Sequence, residues 1–162
     1  MSMKIIRLSM LFLAALCIAA CSSKVTTSQQ SSLSKKGVKD TMTVPYVVAD
    51  HYFVNNNITE MPPVKITTKE IFDKNFGMAA VMGEGGQPIV VDFSREYVIA
   101  VTKPETDVST QLEPVSLMRD AKGNMVFTYK VIRGEKQSYT ILPCLLIIVK
   151  NSYQGNVVLN ER

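Results

Sequence analysis

The sequence predicts a mainly β domain (α+β), an antiparallel sandwich or small barrel of about seven or eight short strands with one short helix. Three observations carry this. Tyr97-Val98-Ile99-Ala100-Val101 is an uncharged run rich in β-branched residues, the composition of a strand covered on both faces, and Pro104 stops any helix soon after it. Leu145-Leu146-Ile147-Ile148-Val149 is a second such run. The apolar runs are closely spaced, and short Asn, Asp and Gly segments separate them, so neighbouring strands connect locally and pair antiparallel.

The chain opens with Lys4 and Arg7, an apolar run of thirteen residues from Leu8 to Ala20, and Ile18-Ala19-Ala20-Cys21. A basic segment, a short apolar segment and small residues before a cleavage point make a secretory signal, and thirteen residues fall short of the roughly 20 that a spanning helix needs. The last four residues look like a bacterial lipobox, so residues 1–20 are expected to be removed and Cys21 to carry lipid. Each buried methylene of the acyl chains contributes about 0.8 kcal/mol to holding the protein on a membrane. Residues 21–43 are rich in Ser, Thr, Gln and Lys and read as a flexible tether. Ser22-Ser23-Lys24-Val25 lacks acidic residues, which favours the periplasmic face of an outer membrane. Residues 44–162 are left for a single β-rich domain.

The formal charge of +4 belongs to the leader and tether. From Val44 onward twelve Lys and Arg stand against thirteen Asp and Glu, a net charge of −1, so the basic balance does not indicate nucleic acid as a partner. Of three cysteines, Cys17 leaves with the signal, Cys21 is the anchor, and Cys144 opens an apolar run as a small core residue.

Within the domain, Tyr46–Val54 reads as a first strand ended by Asn55-Asn56-Asn57, and Pro62-Pro63 as a stiff connection. Thr67-Thr68-Lys69-Glu70 has the spacing of a capping box with Thr67 as N-cap. Ile71, Phe72 and Phe76 form the apolar stripe of a short helix packed at one end of the sheets, with Gly77 as a left-handed C-terminal cap. Met78–Met82 reads as a brief strand and Gly83–Pro88 as a turn. The glycine cluster lacks the lysine and following helix of a phosphate cradle. After the central strand, Gln111–Met118 and Met125–Val131 form a hairpin about Asp120–Asn124. Arg133-Gly134-Glu135-Lys136 reads as a further turn, and Ser138–Ile141, Leu145–Val149 and Val157–Asn160 as the last strands.

One histidine, His51, and one cysteine in the domain give no Cys/His metal site and no familiar nucleophilic triad, so no metal, no cofactor and no enzyme activity are expected. Asp92 with Glu96, or Glu105 with Asp107, are the carboxylate pairs an unfamiliar hydrolase would use. The alternative is a periplasmic small-ligand or glycan binder, with Tyr46, Tyr52, Tyr129, Tyr139 and Tyr153 lining its pocket.

Ile66-Thr67-Thr68-Lys69-Glu70-Ile71-Phe72, then Val91-Asp92-Phe93-Ser94-Arg95-Glu96-Tyr97-Val98-Ile99-Ala100-Val101, then Ser138-Tyr139-Thr140-Ile141-Leu142-Pro143 resembles, in that order, the protease-complex-subunit domain of secreted and lipid-anchored bacterial proteins. The resemblance covers roughly Ile66 to Arg162. It implies a non-catalytic protein-binding domain whose partner is another envelope protein, a protease among the classes implied. Where that family has a glycine-rich loop, this chain has Thr102–Thr110 without glycine, so binding is implied and inhibition is not. Lys103, Glu105, Thr106 and Asp107, beside Pro104 at the exit of the central strand, are the expected partner-binding residues, and a membrane is reached only through the lipid on Cys21.

Overall fold

The computed structural model describes residues 41–83 and 85–162. The signal, Cys21 and nearly all of the tether lie outside them, as does Glu84 of the glycine cluster. In chain order the elements are β1 (Met42–Thr43), β2 (Val47–Val48), β3 (Tyr52–Val54), β4 (Lys65–Ile66), α1 (Lys69–Asn75), β5 (Phe76–Met78), β6 (Glu96–Thr102), β7 (Thr106–Arg119), β8 (Met125–Ile141), β9 (Cys144–Lys150) and β10 (Val157–Glu161). They make a four-stranded sheet β1-β7-β8-β10, a second four-stranded sheet β2-β9-β6-β4, and a ribbon β3-β5. The mainly β, antiparallel sandwich expected from the sequence is the fold observed.

Its frame is one long hairpin folded across its own middle. β6 pairs antiparallel with β9 from Glu96↔Lys150 to Thr102↔Cys144. The Lys103 amide then donates to the Pro143 carbonyl at 2.9 Å. The ladder resumes at Thr106↔Ile141 and runs as β7 with β8 to Arg119↔Met125, where the Asp120–Asn124 turn closes it with Gly123 at φ +82. Register shifts between Thr106 and Val108 and between Val108 and Thr110 place extra residues on β8, and such bulges are what bend a ribbon round a corner. The fold over lays the two halves face to face. β1 docks on β7, β2 on β9, β4 on β6 and β10 on β8.

The period of two along each strand then sorts the side chains. Tyr97, Ile99 and Val101 of β6 and Leu145, Ile147 and Val149 of β9 meet Leu112, Leu117, Met125, Phe127 and Tyr129 between the sheets. Val98, Ala100, Leu146 and Ile148 point the other way and are covered by Ile66, Val54, Phe72 and Phe76. The helix therefore covers the outer face of the central strands rather than one end of the sandwich. This double cover is why β6 and β9 are apolar at successive positions, each Val, Leu or Ile among them worth about 1.5–3 kcal/mol when fully buried.

Several elements differ from the sequence reading. The expected first strand is broken at His51, whose φ of +63 turns the chain from β2, on the sheet, to β3, on the outer ribbon. The helix N-cap is Thr68, one residue later than expected: its Oγ1 accepts the Ile71 amide at 3.4 Å. Gly77 is no left-handed cap. The helix ends at extended Phe76, and Asn55 Nδ2 closes the exposed carbonyls of Asp73 and Lys74, both at 3.1 Å. A Cβ on Gly77 would stand 2.4 Å from the Phe53 ring, so glycine serves close approach. The strand expected over Met78–Met82 is instead Phe76–Met78. Arg133–Lys136 is not a turn but part of β8, with Gly134 and Glu135 together opposite Ser109 as a bulge. β10 pairs parallel with β8, the departure from an all-antiparallel arrangement. The ten strands exceed the seven or eight expected because β1, β2 and β4 are two-residue pieces.

Candidate protein-binding face

The kink at His51 helps to hold a segment whose large apolar side chains are exposed. Once the chain has turned, the His51 carbonyl accepts the Ala79 amide at 2.8 Å, and Nε2 of its ring lies 3.1 Å from the Gly85 carbonyl, a contact that needs the proton on Nε2. The Tyr52 hydroxyl donates to the Ile89 carbonyl at 2.8 Å while its ring packs edge-on against Phe72. Burial raises the Tyr52 pKa, which keeps that hydroxyl a donor. Both residues thus clasp the connection that follows β5. Inside it, Val81 donates to the Gly86 carbonyl at 2.8 Å, and a Cβ on Gly86 would sit 2.1 Å from the Val81 carbonyl, so the tight turn requires glycine there.

The clasp leaves the side chains outward. Met82 is wholly exposed and Val90 is 75% exposed, with Met78, Val81 and Ile89 beside them in the sequence and also exposed. The segment from Met78 to Val90 contains no Lys or Arg and a single acidic residue, Glu84. Large exposed apolar residues on one loop, held by specific hydrogen bonds, have the character of a contact surface. The sequence showed these residues but suggested a strand and a turn for them. The signal missed was the pairing of Met78-Ala79-Ala80-Val81-Met82 with Ile89-Val90 on either side of a glycine cluster.

A crevice of about 270 Å³ adjoins the clasp, lined by Val48–Tyr52, by Gln111–Pro114 of β7, and by Cys144–Leu146. It lies along a seam where β2 and β7, in different sheets, have no strand between them. Asp50 and Glu113 line it, and no Lys or Arg does. Cys144 lies at its floor, its sulfur 3.7 Å from the Tyr52 carbonyl, and burial pushes the thiol pKa up to about 11, so it is a poor nucleophile at neutral pH.

The expected partner-binding residues lie elsewhere, at the corner where the hairpin folds. Lys103 pairs with Glu161 and sits 5.2 Å over the Tyr129 ring. The hydrogen bond holds the Lys103 pKa up and the Glu161 carboxyl below the usual range. Glu105 accepts from the Thr140 hydroxyl, Thr106 Oγ1 accepts the Val108 amide at 3.1 Å, and Asp107 pairs with Lys136 at 3.0 Å. The four residues are close together in the fold, and each already has a partner in this chain.

The other candidates are dispersed. Asp92 caps its own turn, accepting from the Ser94 hydroxyl and amide and from Arg95 Nε at 2.8 Å, and these bonds lower its pKa, the Ser94 hydroxyl most. Glu96 accepts the Asp92 amide at 3.3 Å. Tyr46 and Tyr129 both pack on Phe127, Tyr52 on Phe72, and Tyr153 on the inner core, while Tyr139 stands exposed on β8. Among the described residues no group of three or more His, Cys, Asp and Glu side chains is placed to hold a metal ion, and no helix is long and apolar enough to cross a membrane. Comparison with known protein families, with curated protein sequences and with solved structures gave no match.

Proposed function

We propose that this chain is a lipid-anchored envelope lipoprotein whose folded domain binds another envelope protein without catalysing a reaction on it. The lipobox-like Ile18-Ala19-Ala20-Cys21 supports the anchor. The observation that carries the binding function is the apolar loop of Met78, Val81, Met82, Ile89 and Val90, clasped by His51 and Tyr52. An aliphatic contact of this kind suits an apolar patch on a protein partner, and a protease or its associated subunit is the class that the sequence resemblance implies. Cross-linking and capture from the native envelope should retrieve a defined partner with the wild-type protein. Replacing Met82 and Val90 together with Asp should abolish the capture with little change in melting temperature, because both side chains are exposed. If the double variant captures as wild type does while Lys103, Glu105 and Asp107 changed together to Ala lose the partner, the corner of the hairpin is the binding face instead.

A further inference from the structure

The seam beside the clasp has the hydrogen-bonding pattern of a missing strand. The Tyr129 carbonyl accepts the Arg162 amide at 2.9 Å, on the β10 side of β8, so Tyr129 turns its backbone groups away from β7. Pro114 is its partner in the ladder, so Pro114 faces away from β8 as well, the one direction in which a residue without an N–H is harmless. The register is unbroken from Pro114↔Tyr129 to Thr110↔Arg133, and alternation therefore points the N–H and C=O of Leu112 and Thr110 outward too. Beyond them Val108 is closed off by its neighbours: its amide donates to Thr106 Oγ1 and its carbonyl accepts from Thr110 Oγ1 at 2.9 Å. β1 reaches β7 only at Met118 and Arg119, with Val44 donating to Leu117, so among the described residues no strand lies beside Thr110–Pro114. On the opposite bank the Ala49 amide donates to Leu146 of β9, which leaves Val48, by the same alternation, facing the crevice.

We infer that this slot takes an extended segment of the protein partner, added as a strand along the outward edge of β7 from Thr110 to Pro114. Backbone hydrogen bonds to Thr110 and Leu112 would hold the segment. Asp50 and Glu113, with no Lys or Arg on the lining, select a segment carrying basic side chains. The same charges disfavour a second copy of this chain: β7 laid antiparallel on β7 about Thr110 would set Asp107 opposite Glu113 twice. Because His51 and Tyr52 line the slot and also clasp the apolar loop, one partner can cover both.

The inference rests on the protein-binding reading, and the experiment separates the two. In the free protein, amide hydrogen exchange should be faster at Thr110 and Leu112 than at Gln111 and Glu113, which face β8. A short synthetic peptide of alternating Lys and Val should slow exchange at Thr110 and Leu112. The same peptide N-methylated at alternate amides should bind at least about tenfold more weakly, since it cannot donate along one edge. Thr110→Pro should abolish the protection and keep the fold, because the lost N–H faces outward, whereas Thr110→Ala should retain it. Equal binding by the methylated peptide, no protection at Thr110 and Leu112, or self-association through β7 overturns the slot. Partner capture that survives in Thr110→Pro but fails in the Met82 and Val90 double variant overturns the slot while leaving the protein-binding reading standing.

Discussion

The two halves of the folded hairpin share one ladder of backbone hydrogen bonds and differ in what covers them. In the β6/β9 half, Tyr97–Val101 and Leu145–Val149 are buried without a gap. In the β7/β8 half burial falls mainly on one face, at Leu112, Leu117, Met125, Phe127 and Tyr129, with Thr128 alone buried on the other, and no residue of β8 beyond Tyr129 is buried. Hydrogen bonding is therefore not what separates a core strand from a surface strand here. Cover is: the helix and the β3-β5 ribbon close over one half, and the corner of the other half is left to solvent.

The contrast fails if substitutions in the two halves cost the same. Ile99→Ala, in the doubly covered half, should cost on the order of 2–5 kcal/mol in denaturant unfolding, because a wholly buried side chain is deleted between two sheets that close on it only in part. Tyr97→Phe sharpens the contrast. It removes a hydroxyl that donates to the Tyr153 carbonyl at 2.8 Å, for a loss of about 0.5–1.5 kcal/mol. Burial also pushes the Tyr97 pKa up to about 12 from an ordinary 10.0. A raised folded-state pKa means the stability is fully present below pH 10.0 and falls between there and about 12, as the unfolded chain ionises first, so Tyr97→Phe should flatten the pH dependence in that window. Ile132→Ala, at 44% exposure in the open half, should cost less than about 0.5 kcal/mol. A value near that of Ile99→Ala would show that the corner is covered in solution.

The doubly covered half was legible because its cover writes itself into composition: successive apolar residues at Tyr97–Val101 and Leu145–Val149 have no other use. The Asp120–Asn124 turn was legible through Gly123. Other features depend on contacts that a sequence does not display. Nothing local marks His51 for positive φ. Gly77 looked like a cap because glycine after a helix usually is one, but here Phe53 crosses the backbone. Gly134 beside charged residues looked like a turn, and it is part of a bulge where an added Cβ would stand 3.2 Å from Ser109 Cβ. For the site, the exposed apolar residues were visible as residue types and their clasp was not. The slot was less visible still, since it consists of outward amides and carbonyls, and Pro114 is the single side chain that hints which way that edge faces.

The continuity of the hairpin also offers a route to the fold that needs no large loop closure. Starting from the Asp120–Asn124 turn, each new pair from Arg119↔Met125 down to Glu96↔Lys150 closes a loop only slightly larger than the one before it, so no step carries the whole entropy of joining distant segments. β1, β2, β4 and β10 have nothing to dock on until that zipping has passed their partners. Substitutions beside the turn should therefore slow refolding, whereas those in β10 should chiefly hasten unfolding, as rate measurements across a denaturant series would reveal. A chain that folds this way completes its central strands last but one, and the clasp of His51 and Tyr52 last of all.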